Sequence, residues 1–397
     1  MFHRPSHHNI PLNYFCGHSL GLQPVSTKDY LQLELDKWAR QGVDGHFEEP
    51  NPWFHYHKFL KPGLAHLCGA LETEVVPYGS LTSNIHFLFA SFYSPNEKRD
   101  KILAEDIGFP SDTFALETHV KFRGYSPDKS IVWLKHDGNY CFSTETILSK
   151  IEKHKDELAL IWLSGVNFLS GQVLDMKTIS AKANEYGIKI GFDLAHAIGN
   201  VPLQLHDWGI DFAVWCSYKY LNSGPGAVGG YFVHEKNFPS QSLKPNTQNL
   251  EILGGWWGHK EETRFQTEQK FNPTESADAW QHSNANVLSL AAVRASLDIF
   301  ISADIQTLHA KSLVQTEIAF ELLSNISSIR ILTPKEARGN MISILLKNND
   351  KSIVDKLKAH HTLIDYREPG IIRFSFCPLY NTELEWRQFL TLLQEIL

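Results

Sequence analysis

Five short apolar runs lie between residues 102 and 216, with helix-length stretches separating most of them. They are Ile102-Leu-Ala104, Ser130-Ile-Val-Trp-Leu134, Leu158-Ala-Leu-Ile-Trp-Leu163, Ile188-Lys-Ile-Gly-Phe192 and Asp211 to Cys216. The third is apolar without interruption, as a strand covered on both faces must be. The segments SDTFALETHVKF, Thr144 to His154, and Asp175 to Tyr186 read as helices, and Gly187 stops the last. Alternation at this spacing predicts an α/β fold of βαβ units around a mainly parallel sheet. After Asn284 the pattern changes. A long helix from Val287 to Phe300 leads to helices near 304–324 and 350–359, with strands at Met341 to Leu346 and Ile371 to Phe376. The expected domains are an N-terminal arm at 1–30, a large domain at 31–285 and a smaller α+β domain at 286–397, with the arm joining the small domain.

Composition excludes several classes of function. The chain has 397 residues, a net charge of −7 and no long basic run, so nucleic acid and anionic membrane surfaces are poor partners. No stretch nears the roughly 20 apolar residues of a membrane span, and the first residues lack an apolar core of signal-peptide length. The five cysteines are scattered and form no CxxC pair. Neither a disulfide framework nor a metal site is expected, and the compartment reads as reduced and cytoplasmic.

Ligands of open α/β sheets bind beyond the carboxyl ends of the strands. Ser164, Asp193, His196, Tyr218 and Lys219 all fall at such ends. Any one alone reads equally as the start of a loop; five on successive elements form a rim. Asp193 follows an apolar run, and a buried carboxylate needs a partner. That partner is either His196, structurally, or a protonated heteroaromatic nitrogen. Lys219 closes a buried strand between two tyrosines, where a surface lysine is out of place and a reacting amine is not. Upstream, Tyr78-Gly-Ser-Leu-Thr82-Ser-Asn84 precedes an apolar helix from Ile85 to Phe92. Its small hydroxyl residues are either a plain cap or an anion site. Phe109 opens the next helix as either a core aromatic or a wall for a flat ligand. A phosphate cradle, a stacking aromatic, a buried acid and a condensing lysine together describe a pyridoxal phosphate site.

The chain resembles the kynureninases, fold-type I pyridoxal phosphate enzymes of the class V aminotransferase superfamily. The resemblance runs from Tyr14-Phe-Cys-Gly-His-Ser-Leu-Gly-Leu-Gln-Pro24 to Arg373-Phe-Ser-Phe-Cys-Pro-Leu-Tyr-Asn381. It is most specific in GFDLAHAIGNVPLQLHDWGIDFAVWCSYKYLNSGPGAVGG at 191–230, with GWWGHK at 255–260 and HSNAN around Asn284. It implies the transferase-like fold of that group and hydrolytic Cβ–Cγ cleavage of kynurenine or 3-hydroxykynurenine. It also implies a homodimer whose active sites lie at the subunit interface. Lys219 would hold the cofactor aldehyde and later move the α-proton, and Tyr218 would shuttle protons. Asp193 would pair with the ring nitrogen, with His196 beside it. Leu81, Thr82, Ser164 and Tyr218 would help hold the cofactor, Thr82 and Tyr218 at its phosphate. Phe109 would stack on the ring, and Pro110, Ser111 and Asp112 would complete that wall. Trp256 and Asn284 would reach in from a second subunit. Arg373 would take the α-carboxylate, while His46, Trp257, Ser283 and Asn284 would line the aryl pocket.

Two departures stand out. His18 replaces the usual asparagine of the N-terminal motif, and Trp257 stands where phenylalanine is common, which would enlarge the aromatic wall. The segment 236–254 fits no expectation. Relatives that transfer sulfur need a mobile cysteine before the arginine, and residues 286–372 contain none. An aminotransferase would require a keto acid, and a non-catalytic scaffold would have no use for Arg373.

Overall fold

The computed structural model describes residues 1–239, 250–267 and 270–397. The centre of the molecule is a seven-stranded sheet in the order Val75–Val76, Gly230–Val233, Phe212–Trp215, Lys189–Asp193, Leu158–Ser164, Lys101–Glu105, Ile131–Leu134. The last five strands of that order run parallel. Gly230–Val233 runs antiparallel to both of its neighbours. Alternate residues go to opposite faces. Leu103, Ile161, Leu163, Phe192 and Trp215 enter one core. Ile102, Ala104, Leu160, Trp162, Phe212 and Val214 enter the other. Each fully buried side chain of this size stabilises the fold by about 1.5–3 kcal/mol, which is why the strands read as continuous apolar runs.

The strand expected to end at Ala104 continues to Glu105, and those expected to end at Leu163 and Phe192 continue to Ser164 and Asp193. Each reading stopped where the apolar run stopped, but the ladder extends one polar residue further into the site. The helix expected from Ile85 begins at Leu81, because Ser80 caps it: the Ser80 side chain accepts from the Ser83 N–H. Two long helices, Thr27–Gln41 and Glu383–Ile396, were not expected at all.

A second sheet, wholly antiparallel, has the order Ile329–Ile331, Met341–Leu346, Ile371–Ser375, Asp365–Arg367. The N-terminal arm adds Asn13–Tyr14 in parallel beside Thr362–Leu363 and sends Phe15 into that sheet's core. The arm then crosses to the large sheet. The Gly21 N–H donates to the Tyr218 carbonyl at 2.8 Å. A Cβ on Gly21 would lie 2.3 Å from the Lys219 carbonyl oxygen, so only glycine allows this approach.

Candidate functional site

The carboxyl ends of the parallel strands bring Glu105, Ser164, Asp193 and the loop after Trp215 together. In the ladder Ser164 sits directly beside Asp193. Lys219 is 9% exposed, and its ammonium lies 5.6 Å from the centre of the Phe109 ring. Among the described residues no hydrogen bond or ion pair reaches Nζ. Three buried carboxyls share the neighbourhood. Burial raises the Asp193 carboxyl, and Lys219 opposes that. Burial and the Asp193 charge both raise Asp112. Burial takes Glu105 up to about 7, against hydrogen bonds from Ser164 and Asn167. The Ser164 N–H and hydroxyl both donate to Glu105 at 2.8 Å. Three buried acids crowd one lysine, so each holds its proton more tightly than it would in water, and a further positive charge would favour their ionised forms.

Two buried polar atoms here have no hydrogen-bond partner among the described residues, His196 Nδ1 and Ser217 Oγ, while Asp112 lies within hydrogen-bond reach of Asp193. Burial also pushes His196 well down, with Lys219 adding to the effect, so its ring is neutral. The Asp193 carboxylate accepts the Ala195 N–H at 2.7 Å, and the Trp162 indole donates to Asp112 at 3.2 Å. Unpartnered polar atoms, and a buried Asp193 carboxyl that an added positive charge would keep ionised, fit a flat cofactor with a protonated ring nitrogen. Phe109, Pro110 and Ser111 open the helix Pro110–Phe122 beside the lysine, with Phe109 at the cap. The phosphate end fits as well. Leu81 and Thr82 form the first turn of a capped helix, whose leading N–H groups have no intrahelical acceptor. Gly79 has φ +66°, and a Cβ there would meet Asn84 Oδ1 at 2.2 Å. Tyr218 is half-buried, and burial raises its phenol.

Arg373 closes the other end. It is 2% exposed. Its Nε donates to Asp365 Oδ2 at 2.7 Å, its Nη2 donates to the same oxygen, and its Nη1 donates to the Phe168 carbonyl at 2.5 Å. Burial acts to raise the Asp365 carboxyl, but His18 and Arg373 outweigh it and hold it well below the usual carboxylate range. His18 is buried. Its Nδ1 lies 2.9 Å from Ser375 Oγ and its Nε2 lies 3.5 Å from Asp365 Oδ2. Burial pushes it down to about 4.

The residues assigned to the aryl ring occupy an outer face. Trp256 is 48% exposed, and Ser283 and Asn284 are exposed with it. Trp257 lies beneath this face, 2% exposed, with the Arg264 guanidinium 4.9 Å over its ring and Phe54 at 5.1 Å. Trp257, which the sequence reading set on the aryl wall, is buried in the single chain, while its neighbour Trp256, edge-on to it at 5.5 Å, meets solvent. His46 is half-buried at the end of the 3-10 helix Gly42–His46, edge-on to Trp53 at 5.5 Å. Lys37 holds the loop that follows: its buried ammonium donates to the carbonyls of Glu48, Pro50 and Asn51 at 2.7, 2.7 and 2.9 Å.

Sequence reasoning missed Glu105, Ser217 and Asp365. Glu105 carried a signal, an acid directly after an apolar run. Asp365 carried none. One further cluster, Glu74 with His206 and His234, could hold a metal by composition. Its imidazole rings stack at 21° and 4.8 Å, so their in-plane lone pairs run side by side rather than converge. Its carboxylate already accepts the Leu71 and Glu235 N–H groups. Of the segment 236–254, residues 240–249 lie outside the described residues.

The family model described as aminotransferase class-V matches residues 60–385. The chain is 43% identical over 384 residues to the kynureninase of Flavobacterium psychrophilum, covering 95% of this chain and 89% of that protein. It is 42% identical over 389 residues to the kynureninase of Myxococcus xanthus, covering 97% and 90%. It is 42% identical over 396 residues to kynureninase 2 of Emericella nidulans, covering 96% and 84%. Among solved structures, an apo cysteine desulfurase from Thermococcus onnurineus superposes with a TM-score of 0.78 at 16% identity, covering 97% of this chain and 94% of that one. A C-DES variant with glycine linked to its PLP cofactor gives the same TM-score and identity, covering 97% and 96%. At that identity the likeness is one of fold.

Proposed function

The chain belongs to the class-V aminotransferase family and, within it, to the kynureninases, and from that premise we propose how its own residues carry the reaction. The activity is hydrolysis of the Cβ–Cγ bond of L-kynurenine, its 3-hydroxy form or both. The hydroxyl of water ends on the aryl carbonyl carbon, giving anthranilate or its 3-hydroxy form. A proton ends on the β-carbon, giving L-alanine.

Pyridoxal phosphate is the cofactor, and when bound it supplies an aldehyde that condenses with amines and a ring that withdraws electrons from the α-carbon. Lys219 would hold that aldehyde, and its amine would serve as the base that takes the substrate's α-proton. Asp193 keeps a positive charge at the ring nitrogen, with neutral His196 beside it. Phe109 would stack on the ring, with Pro110, Ser111 and Asp112 behind it. Leu81 and Thr82 would receive the phosphate at the helix start, with Tyr218, and Ser164, bonded to Glu105, would support the ring. Tyr218 moves protons at the γ-carbon as water adds. Arg373 holds the α-carboxylate. Lys219, set in an acid-rich dry pocket with no ion partner among the described residues, is the observation that carries this reading.

The same proposal makes the enzyme a homodimer. Trp256 and Asn284 would serve the partner's cofactor, and His46, Ser283 and Asn284 would line the aryl pocket with Trp257 as backing. Their exposure in a single chain supports this. The division into 1–30, 31–285 and 286–397 belongs to it as well, supported by the two separate sheets and the Asn13–Tyr14 pairing. Among the described residues no helix is long and apolar enough to cross a membrane. We place the enzyme in the cytoplasm because all five cysteines are free.

Anthranilate fluorescence tests the whole. Lys219→Ala should lose all turnover while keeping its circular dichroism and melting temperature. Mixing it with Trp256→Ala should restore up to about a quarter of native activity, since some mixed dimers carry one intact site. Near-normal turnover by Lys219→Ala would end the assignment, and no recovery on mixing would end the shared site.

A further inference from the structure

Arg373 has five N–H donors, and the structure spends three. Two go to Asp365 from the Nε edge, and one goes from Nη1 to the Phe168 carbonyl. One hydrogen remains on Nη1 and one on Nη2, which is the pair a bidentate carboxylate contact needs. Asp365 itself is aimed from behind. His18 Nε2 faces it at 3.5 Å, and His18 Nδ1 meets the Ser375 hydroxyl at 2.9 Å. Tyr220 in turn lies 3.5 Å from that hydroxyl. With His18 neutral and fully buried, one tautomer suits the row: Ser375 donates to Nδ1, and Nε2–H, which has no other partner among the described residues, faces Asp365 at 3.5 Å. Asp365 also accepts from Arg367 Nε at 3.2 Å.

We infer that Asp365, aimed by His18, is a positioning residue that turns the two unspent N–H groups of Arg373 toward the substrate α-carboxylate. This rests on the proposed role of Arg373. The row spans three parts of the chain: the N-terminal arm, the Asp365–Arg367 strand and the Ile371–Ser375 strand. The arm therefore takes part in substrate recognition through His18 without touching substrate.

Two inhibitors separate carboxylate binding from ring binding. L-Alanine carries the α-carboxylate without the aryl ring, and 2-aminoacetophenone carries the aryl ketone without the carboxylate. In Asp365→Asn and in His18→Ala, KM and the alanine inhibition constant should rise together, about tenfold or more. The aminoacetophenone constant should stay within about twofold. His18→Asn keeps a donor amide and an acceptor oxygen, and it should return alanine binding to within about threefold of native. Unchanged alanine binding in the folded variants would overturn the inference, as would equal weakening of both inhibitors. Arg373→Lys serves as the control. If it too leaves alanine binding unchanged, the role of Arg373 itself fails; if it alone weakens alanine, only the positioning role does.

Discussion

Asp193 shows how one side chain can set the chemistry of a site. Its carboxylate is buried and raised by that burial, so it is held ionised only if a positive charge stands against it. A protonated ring nitrogen is such a charge. Asp193→Asn keeps the shape but cannot stabilise that charge. We expect kcat to fall by a factor of roughly 10²–10⁴ with the melting temperature nearly unchanged, read from anthranilate release and thermal denaturation. Asp193 and Lys219 were legible in the sequence because a polar residue ending an apolar run is conspicuous. The partner of Arg373 was not. Asp365 lies eight residues upstream on another strand, and only the register of the antiparallel pair sets the two directly opposite.

At the scale of elements, the helix Leu81–Phe92 decides where a phosphate can sit. Its start depends on Ser80, capped with Ser83, and on the turn at Gly79. The sequence reading saw the hydroxyl cluster but began the helix four residues late, because Thr82, Ser83 and Asn84 are polar and break the apolar period. That first turn is what presents the N–H groups. Gly79→Ala would strain a backbone with φ +66° and drive its methyl into Asn84, whose side-chain amide donates to the Tyr78 carbonyl at 2.6 Å. The expected result is a cofactor dissociation constant raised about tenfold or more, measured by absorbance titration, with a lower melting temperature. The helix Thr27–Gln41 escaped prediction for a related reason. Exposed Leu33, Leu35 and Trp38 interrupt its amphipathic pattern.

The molecule as a whole buries more histidine than its acids can offset. His18 and His119 are pushed down to about 4 and His57 to about 3, each chiefly by burial. Burial lowers His86, His196, His282 and His309 in the same direction. These folded values lie below the unfolded value near 6.5, so the unfolded chain binds more protons and stability falls as pH drops from about 6.5 toward 4. Glu105, Asp112 and Asp193 are raised and act oppositely over part of that window, but they are fewer. The melting temperature of the loaded enzyme should therefore be clearly lower at pH 5 than at pH 7. An equal or higher value at pH 5 would mean that the acids dominate.

From the sequence alone one could read the alternating strands, the rim of polar residues at their ends, the lysine and the acid beside it. Each of these is a local pattern, set by the two-residue period of a strand and by what an apolar run leaves exposed at its end. Tertiary structure decided that the N-terminal arm reaches back to the Lys219 loop, that Trp256 rather than Trp257 meets solvent, and that Asp365 and His18 orient Arg373. Those contacts join residues up to several hundred positions apart, and no local period encodes them. They exist only once two sheets and an arm have packed together.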